Sequence, residues 1–320
     1  MTRFLLILTM LFFCASACAD PRKNAIPLYS DGIRLAADLW TPEGLKPGEQ
    51  RPAILMIHGW GGVKSHLNSA YAPQFTDLGY IVLTFDYTGW GESEGQVIRT
   101  GTRPEVDLDS EGETYNTEVR ELRMGVNPLE QMDDIRAAFA FLATEPTVDA
   151  DRIAVWGSSL GGGLALAMAV EFPQIKVLMS QVGSINPRGS DQDLPDTHPF
   201  SDQNMLKWRG AIARGDITSF PTEAAPGLRG FPDWPDMQRY NPFAQVDQLS
   251  AATLIVDAAD EELFDISMNG AALYARVKDR VPARYETIAG KHYDVYSGEG
   301  YEKALTWQKD WLARHLPVGR

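Results

Sequence analysis

Short runs of apolar and β-branched residues recur along the chain, and glycine, proline or polar residues bound each one. Runs of roughly four to eight such residues are typical of buried strands. The stretch Leu164–Val170 contains no helix breaker and predicts a helix, and Glu299–Leu316 predicts a final helix. The predicted strands are Ala53–Ile57, Ile153–Trp156, Ile175–Ser180, Thr253–Ala258 and Tyr285–Gly290, the last ending in a turn.

One serine lies where a predicted strand meets a predicted helix. Residues 157–161 read Gly-Ser-Ser-Leu-Gly, which is the nucleophile-elbow pattern G-x-S-x-G. A chain that reverses from strand to helix within a few residues forces its central residue into a strained conformation. The strain lifts the hydroxyl above the sheet, and the flanking glycines let neighbouring elements approach. The pattern predicts Ser159 as a nucleophile.

A glycine-rich segment follows an earlier predicted strand. Residues 58–62 read His-Gly-Trp-Gly-Gly, directly after Ala53–Ile57. A serine that attacks an acyl carbon builds negative charge on the carbonyl oxygen, so backbone N–H groups must already point there. We predict that Trp60 and Leu160 supply these donors, with Leu160 at a helix N-terminus where the helix dipole also helps.

A serine nucleophile needs a base within hydrogen-bond reach, and five histidines are available. His58 belongs to the predicted oxyanion segment, His66 and His198 lie in polar sequence typical of loops, and His315 lies at the end of the last helix. His292 follows a late strand and precedes that helix, where a loop residue can overhang the elbow. We predict His292 as the base.

The orienting carboxylate should lie on a loop between the serine and the histidine. The strand Thr253–Ala258 is followed by Asp260, Glu261 and Glu262. Glu261 falls where such turns usually present the acid, and Asp260 is the close alternative. Glu262 is predicted to begin the helix that runs through Asn269 to Val277.

The chain order of serine, acid and histidine, with the glycine-rich segment upstream, resembles the α/β-hydrolase superfamily. Residues 78–93, 127–135 and 148–153 are similar to blocks of its dienelactone-hydrolase-like and acetyl-xylan-esterase-like members. Some likeness to the Xaa-Pro dipeptidyl-peptidase catalytic domain is also present. The resemblance spans roughly residues 26–316. It departs at the acid, where the family usually has aspartate.

The resemblance implies an α/β-hydrolase fold over residues 20–320, with a mostly parallel central sheet, helices on both faces and a cap insertion over about residues 184–247. It implies a carboxylesterase that forms an acyl-enzyme on Ser159. The alternatives are a peptidase or aminoacyl-ester hydrolase and, from another class, a catalytically silent binding lipoprotein. No cofactor is implied, and the expected partner is a small ester substrate.

The N-terminus predicts export. A basic start, an apolar run and the small-residue segment Ala15–Ala19 are typical of a secretory signal peptide over residues 1–19, cleaved after Ala17 or Ala19. The apolar run is shorter than the ~20 residues that span a bilayer. Alternatively, Ala15–Cys18 is a lipobox and Cys18 carries lipid. A secreted or periplasmic location is expected, with membrane attachment only if Cys18 is lipidated.

Composition narrows the chemistry. The chain has 320 residues with 44% hydrophobic content, enough for one substantial core. Both cysteines, Cys14 and Cys18, lie in the predicted signal peptide, which leaves the mature chain without a thiol nucleophile, a thiolate metal site or a disulfide. The net charge of −14 argues against nucleic-acid binding, because no basic stripe is present to neutralise phosphates.

Two long insertions are expected to influence substrate choice. About seventy residues separate the strands at Ile175 and Thr253. We interpret them as a cap whose aromatic residues line a substrate pocket; these aromatics are Trp208, Phe220, Phe231 and Trp234. In the acidic segment Arg99–Arg123, residues 107–118 match the spacing of a calcium loop. Because Pro104 precedes this match instead of a helix, we interpret the segment as a solvated acidic loop, with calcium binding as the alternative.

Overall fold

The computed structural model describes residue 20 and residues 22–105, 109–112, 114–186, 201–214, 223–225 and 228–319. The signal peptide predicted over residues 1–19, with its cleavage site and Cys18, lies outside the described residues. So do parts of the predicted cap insertion and positions 107, 108 and 113 of the acidic segment that matches the calcium-loop spacing. Within the described ranges, no helix combines the length and the apolar character needed to cross a membrane.

The secondary structure alternates between strands and helices. The strands are β1 (Lys23–Ser30), β2 (Ile33–Trp40), β3 (Arg51–Ile57), β4 (Ile81–Phe85), β5 (Val97–Arg99), β6 (Val119–Glu121), β7 (Gly125–Val126), β8 (Val148–Ser158), β9 (Ile175–Gln181), β10 (Glu223–Ala225), β11 (Leu228–Arg229), β12 (Phe231–Pro232), β13 (Ala252–Ala258) and β14 (Ala283–Ile288). The α-helices are α1 (Lys64–Ala70), α2 (Ala72–Thr76), α3 (Pro128–Thr144), α4 (Leu160–Glu171), α5 (Asp202–Ala213), α6 (Trp234–Arg239), α7 (Gly270–Val277) and α8 (Gly298–His315). Three 3-10 helices cover Pro242–Gln248, Ile266–Met268 and His292–Tyr296.

Eight of these strands form one sheet in the order β1-β2-β4-β3-β8-β9-β13-β14. Strand β2 runs antiparallel to β1 and β4, and every neighbouring pair from β4 to β14 is parallel. Parallel strands are joined by helices that cover both faces of the sheet. The predicted α/β architecture with a mostly parallel central sheet is therefore confirmed.

Alternate residues of the central strands face two separate apolar cores. In β3, Leu55 packs with α3, α4 and α7 on one face, while Met56 packs with α1, α2 and α8 on the other. In β8, Val155 and Trp156 divide in the same way. Because successive side chains of a strand point to opposite faces, uninterrupted apolar runs are the pattern that such a two-sided sheet requires.

The segment after β3 corrects one expectation. His66 was expected in a loop and lies in the helix α1. The residue before this helix, Val63, offers no side-chain cap, and the Lys64 N–H donates instead to Asp86 Oδ1 at 2.7 Å. The carboxylate that caps α1 thus comes from the end of β4, so local sequence around His66 carried no helix-start signal.

Asp86 also holds a second segment in place. Its Oδ2 accepts a hydrogen bond from the Glu92 N–H at 2.9 Å, and its backbone carbonyl accepts one from Ser93 Oγ at 2.6 Å. Next to it, the Lys64 ammonium lies 2.9 Å from the buried Asp38 carboxylate. This buried polar group joins the chain after β3 to the chain after β4, close to the oxyanion segment 58–62.

Replacing Asp86 by alanine is expected to lower the free energy of unfolding by about 1–3 kcal/mol, because the Lys64 and Glu92 N–H groups lose their acceptor. Urea denaturation at pH 7 measures the change. The control is Asp151→Ala, at an exposed carboxylate, where a change within about 0.5 kcal/mol is expected. Equal stability of the two variants would contradict the capping role.

Candidate active site

Ser159 lies between the last residue of β8 and the first residue of α4. Its backbone has φ of 57° and ψ of −126°, a left-handed conformation that costs a non-glycine residue about 1–3 kcal/mol. The Ser159 N–H donates to the Gln181 carbonyl at 2.9 Å, and the Ser159 carbonyl accepts from the N–H groups of Gly162 and Ser184. These hydrogen bonds hold the strained residue at the top of the sheet, where a nucleophile elbow places its serine.

Three glycines allow the main chain to pack closely around this turn. A Cβ on Gly157 would lie 2.0 Å from the Gly161 carbonyl oxygen, and a Cβ on Gly161 would lie 2.3 Å from the Ile57 carbonyl oxygen. A Cβ on Gly59 would lie 2.7 Å from the Ser159 Cβ. A side chain at Gly59 or Gly161 would therefore push the segment 58–62 away from the serine turn, and one at Gly157 would push α4 away from β8.

The segment 58–62 has the form expected of an oxyanion loop. The Gly62 N–H donates back to the Gly59 carbonyl, which closes a tight turn around Trp60. Among the described residues, no acceptor hydrogen-bonds the Trp60 main-chain N–H. Leu160 is the first residue of α4, and the N–H of a first helical residue has no acceptor within its own helix.

His58 is part of the support of this loop. Its side chain is buried against Tyr87, with ring centroids 4.2 Å apart, and the Tyr87 hydroxyl donates to the His58 carbonyl at 3.1 Å. Burial lowers the pKa of His58 to about 4, so the imidazole is neutral at pH 7.

His292 and Glu261 meet as the chain order suggested. The His292 Nδ1 lies 2.8 Å from Glu261 Oε2, and both side chains are about 1% exposed. A carboxylate at Nδ1 favours the tautomer with the proton on that nitrogen, which leaves Nε2 free to accept a proton. Asp260, the alternative acid, is exposed and has no hydrogen bond to this imidazole.

Glu262 does not begin a helix, so that prediction is wrong. Its carboxylate accepts the His292 main-chain N–H at 2.9 Å, and this hydrogen bond lowers the pKa of Glu262. The chain instead makes a 3-10 turn capped by Asp265, and α7 begins only at Gly270. Two consecutive glutamates therefore hold one histidine, one through its ring and one through its backbone.

A buried hydrogen-bond network joins the histidine segment to the elbow. The hydroxyls of Tyr296 and Ser158 lie 2.7 Å apart, and Ser158 also donates to the Gln181 carbonyl at 3.2 Å. The Gln181 side chain donates to the Tyr71 hydroxyl at 3.0 Å. Tyr296 ends the 3-10 helix that starts at His292, so this network sets the height of the histidine above β8.

A cavity of about 520 Å³ opens in front of Ser159. Ser159, Trp60 and His292 line its inner part together with Tyr71 and Tyr296. Its rim includes the exposed side chains of His66, Ser69, Arg229 and Tyr293. Ser159, the segment 58–62 and His292 thus line the same cavity, which is large enough for a small-molecule substrate.

The aromatic residues of the predicted cap do not line this cavity in the described structure. Phe231 belongs to β12, which pairs with β7, and Trp234 begins α6. Trp208 lies in α5, while Phe220 is outside the described residues. Arg229 is the described residue of the insertion that reaches the cavity.

A second buried carboxylate lies near the acid loop and was not anticipated. Asp257, in β13, is fully buried, and among the described residues neither of its oxygens has a hydrogen-bond partner. The Tyr285 hydroxyl is near but outside hydrogen-bond geometry. Burial, with a smaller contribution from Glu261, raises the pKa of Asp257 to about 7. Its place inside an apolar strand gave no sign of this environment.

Across the described ranges, no group of three or more His, Cys, Asp or Glu side chains is arranged to hold a metal ion. Three positions of the calcium-loop match lie outside those ranges, so the interpretation of residues 107–118 as a solvated acidic loop stays a prediction, with calcium binding as its alternative.

Comparison with known proteins places the chain among hydrolases. Residues 31–281 match the family model described as X-Pro dipeptidyl-peptidase (S15 family). An uncharacterized 31.7 kDa protein of the traX-finO intergenic region of Escherichia coli is 24% identical over 312 residues, covering 90% of this chain and 97% of that protein. The quorum-quenching protein AidA of Acinetobacter baumannii is 24% identical over 323 residues, covering 90% and 94%.

Solved structures give the same fold. The α/β hydrolase GrgF from Penicillium sp. sh18 superposes with a TM-score of 0.65 at 17% identity, covering 92% of this chain and 99% of that one. At this level of identity, the comparison establishes the architecture.

Gly161→Ala tests the close approach at the elbow. Alanine is the better helix former by about 1 kcal/mol, but the added Cβ would meet backbone oxygens that cannot easily move. We expect a net loss of about 1–3 kcal/mol in the free energy of unfolding, measured by urea denaturation. Gly112→Ala, at a glycine with open space around it, should remain within about 0.5 kcal/mol of wild type. A stabilised Gly161→Ala variant would refute the contact.

Asp257→Asn tests the buried carboxyl. With a folded-state pKa of about 7 against about 4 unfolded, the folded protein keeps a proton that the unfolded chain has released. This contribution to stability is fully present below about pH 4 and is lost as the pH rises through 7. The variant should therefore lose less stability than wild type between pH 5 and pH 8. Identical pH slopes in urea denaturation would contradict the raised pKa.

Proposed function

This chain belongs to the S15 X-Pro dipeptidyl-peptidase family of serine hydrolases. Within that family we propose, from the geometry of its site, that it is a carboxylesterase whose nucleophile is Ser159. The proposed triad is Ser159, His292 and Glu261, and the proposed oxyanion donors are the main-chain N–H groups of Trp60 and Leu160. The reaction is the hydrolysis of a small-molecule ester through an acyl-enzyme.

In the first half-reaction, the Ser159 oxygen attacks the acyl carbon and His292 Nε2 takes the hydroxyl proton. Glu261, hydrogen-bonded to Nδ1, fixes the ring and stabilises its positive charge. The Trp60 and Leu160 N–H groups stabilise the oxyanion, and such a donor is typically worth ~10²–10³ in rate. His292 then protonates the leaving alkoxide, and the alcohol departs.

In the second half-reaction, His292 Nε2 takes a proton from water, and the resulting nucleophile attacks the acyl carbon. Collapse of the second tetrahedral intermediate releases the carboxylic acid and returns the proton to Ser159. Each step reuses the same two donors and the same base. The chain's own side chains and backbone therefore supply every group that this reaction needs.

One observation carries the proposal above the others. The His292 Nδ1 is hydrogen-bonded to a buried carboxylate at 2.8 Å, and its ring lines the same cavity as the strained Ser159. A binding protein does not need a serine with a strained positive φ next to a histidine whose tautomer is fixed by a carboxylate. Nor does it need two unpaired main-chain N–H groups, proposed here for Trp60 and Leu160, beside that serine. Strain of this kind is typically retained where a function requires it.

The cavity favours esters over peptides with a free amino terminus. Of the described residues that line the cavity, none is an aspartate or a glutamate. A peptidase that binds an α-ammonium group needs a carboxylate or a comparable acceptor for it, because an unpaired buried charge is costly. The family name keeps the peptidase alternative in view, and the substrate panel below decides between them.

Purified protein labelled with a fluorophosphonate probe tests the nucleophile. Wild type should label, and Ser159→Ala should not, because the serine oxygen is the attacked group. Turnover of a 4-nitrophenyl ester should fall by about 10⁶ in this variant, the size of the effect in a comparable triad. Folded wild-type protein that neither labels nor hydrolyses esters would overturn the proposal and favour the binding-protein alternative.

Glu261→Gln and Asp260→Asn form a matched pair that tests the acid. Glu261→Gln keeps the side-chain shape but no longer holds the Nδ1–H tautomer, so kcat should fall by up to about 10⁴. Asp260→Asn removes a neighbouring exposed charge and should leave kcat within about twofold. A larger loss in Asp260→Asn than in Glu261→Gln would exchange the two assignments.

A panel of Xaa-Pro 4-nitroanilides beside simple 4-nitrophenyl esters tests the substrate class. We expect esters to be hydrolysed and the amides to be poor substrates. Efficient cleavage of the Xaa-Pro amides would replace the esterase proposal by the peptidase alternative.

Export through the predicted signal peptide, or attachment through Cys18, is part of the proposal and is tested by fractionation and lipid labelling of the expressed full chain.

A further inference from the structure

Arg229 lies at the mouth of the cavity and has no assigned role in the proposed reaction. It is the one arginine or lysine among the described residues that line the cavity, and its side chain is exposed. None of the ion pairs found among the described side chains involves Arg229. The rim around it contains His66, Ser69 and Tyr293, which also offer hydrogen-bond donors to a substrate.

We infer that Arg229 makes the enzyme selective for esters that carry an anionic group, such as a free carboxylate, on the part that projects from the mouth of the cavity. This inference rests on the proposed function and adds a substrate class to it. Arg229 is a specificity-determining residue in this view and takes no part in the chemistry at the acyl carbon.

The main chain holds Arg229 in a defined place. Its carbonyl accepts a hydrogen bond from the Trp60 indole N–H at 2.8 Å, so it is tied directly to the residue that supplies an oxyanion donor. The next residue, Gly230, has φ of 113°, and a Cβ there would lie 2.7 Å from the Met124 carbonyl oxygen. Phe231 then donates its N–H to the same carbonyl at 2.8 Å. The guanidinium therefore starts from a backbone that is fixed beside the reacting centre.

The positive charge of Arg229 contrasts with the negative net charge of the chain. The whole chain carries a formal charge of −14, so its average field repels anions. At physiological salt that field is screened over about 8 Å, and a local guanidinium at the cavity mouth then dominates what a bound substrate meets. A guanidinium also matches the planar geometry of a carboxylate, which accepts two parallel hydrogen bonds from it.

The opposite strand of the β10–β11 hairpin contributes one acid. Glu223 in β10 lies opposite Arg229 in β11 in the backbone register of this antiparallel pair. Glu223→Gln removes one negative charge from the same hairpin and should therefore leave the preference for anionic esters unchanged or increase it.

Two matched ester pairs test the inference. Mono-(4-nitrophenyl) glutarate against 4-nitrophenyl pentanoate places the charge on the acyl part, and 3-acetoxybenzoate against 3-acetoxybenzamide places it on the alcohol part. In at least one pair, Arg229→Gln should lower kcat/KM for the anionic ester, mainly by raising KM. This loss should be about 3- to 10-fold larger than the loss for the neutral ester of the same pair. Arg229→Lys should retain most of the preference, and 0.5 M NaCl should reduce it in wild type.

The controls separate this inference from the proposed function. Arg314→Gln removes the same charge near the far end of α8 and should not alter the ratio of the two rates. Glu223→Gln should keep or raise the preference for anionic esters. A loss of that preference in Glu223→Gln would contradict the assignment of anion recognition to Arg229. Suppose that wild type and Arg229→Gln hydrolyse neutral esters equally and that neither ester pair shows a preference for the anion. This result would overturn the inference about Arg229 but not the proposed function. Failure of every ester, with no fluorophosphonate labelling, would overturn the proposed function instead.

Discussion

Direct packing of main chain on main chain at the elbow is the constraint on which the candidate active site depends. The start of α4 lies so close to the end of β3 that a single methyl group on Gly161 would overlap the Ile57 carbonyl oxygen. This contact fixes the segment 58–62, which contains the proposed oxyanion donor Trp60, against the start of α4, which contains the proposed donor Leu160. Backbone donors cannot be adjusted by rotamer changes, so their positions follow directly from how closely the two segments pack.

The histidine is held by a different kind of constraint. It lies on a loop, and three separate hydrogen-bonded contacts fix it: Glu261 to its ring, Glu262 to its backbone, and Tyr296 through Ser158 to the elbow. Loops carry functional residues well only when a rigid scaffold supports them. Here the support comes from the ends of β13 and β8, which β9 separates in the sheet, so the relative position of Glu261, His292 and Ser159 is a property of the sheet.

Electrostatics at the site differ from those of the molecule as a whole. The surface is strongly acidic, yet the described lining of the cavity has no carboxylate, and the acids near His292 are turned toward its ring and backbone. Burial keeps His58 neutral at pH 7 and keeps a proton on Asp257 up to about pH 7. Among the described acids, Glu261 and Glu262 are the carboxylates that hydrogen-bond to His292.

Local signals in the sequence determined the architecture and the elbow. Apolar runs of strand length require a two-sided sheet, and glycines two positions from Ser159 are needed wherever main chains pack this closely. Both are consequences of backbone sterics within a few residues, so they are readable without a structure. The pairing of His292 with Glu261 rather than Asp260 was less certain, because adjacent residues on a loop differ only in which way the loop turns.

Other features depended on contacts between distant segments. Asp86 caps a helix that lies twenty-two positions earlier, Glu262 binds a backbone N–H thirty positions later, and Arg229 reaches the cavity through a hydrogen bond to Trp60. Periodicity and turn chemistry report on neighbours along the chain and hold no information on such pairs. The sequence by itself thus determined the sheet, the elbow and the candidate chemistry. Only the tertiary structure decided which carboxylate meets the histidine and which charge stands at the mouth of the cavity, because both depend on how separate loops pack over the ends of the strands.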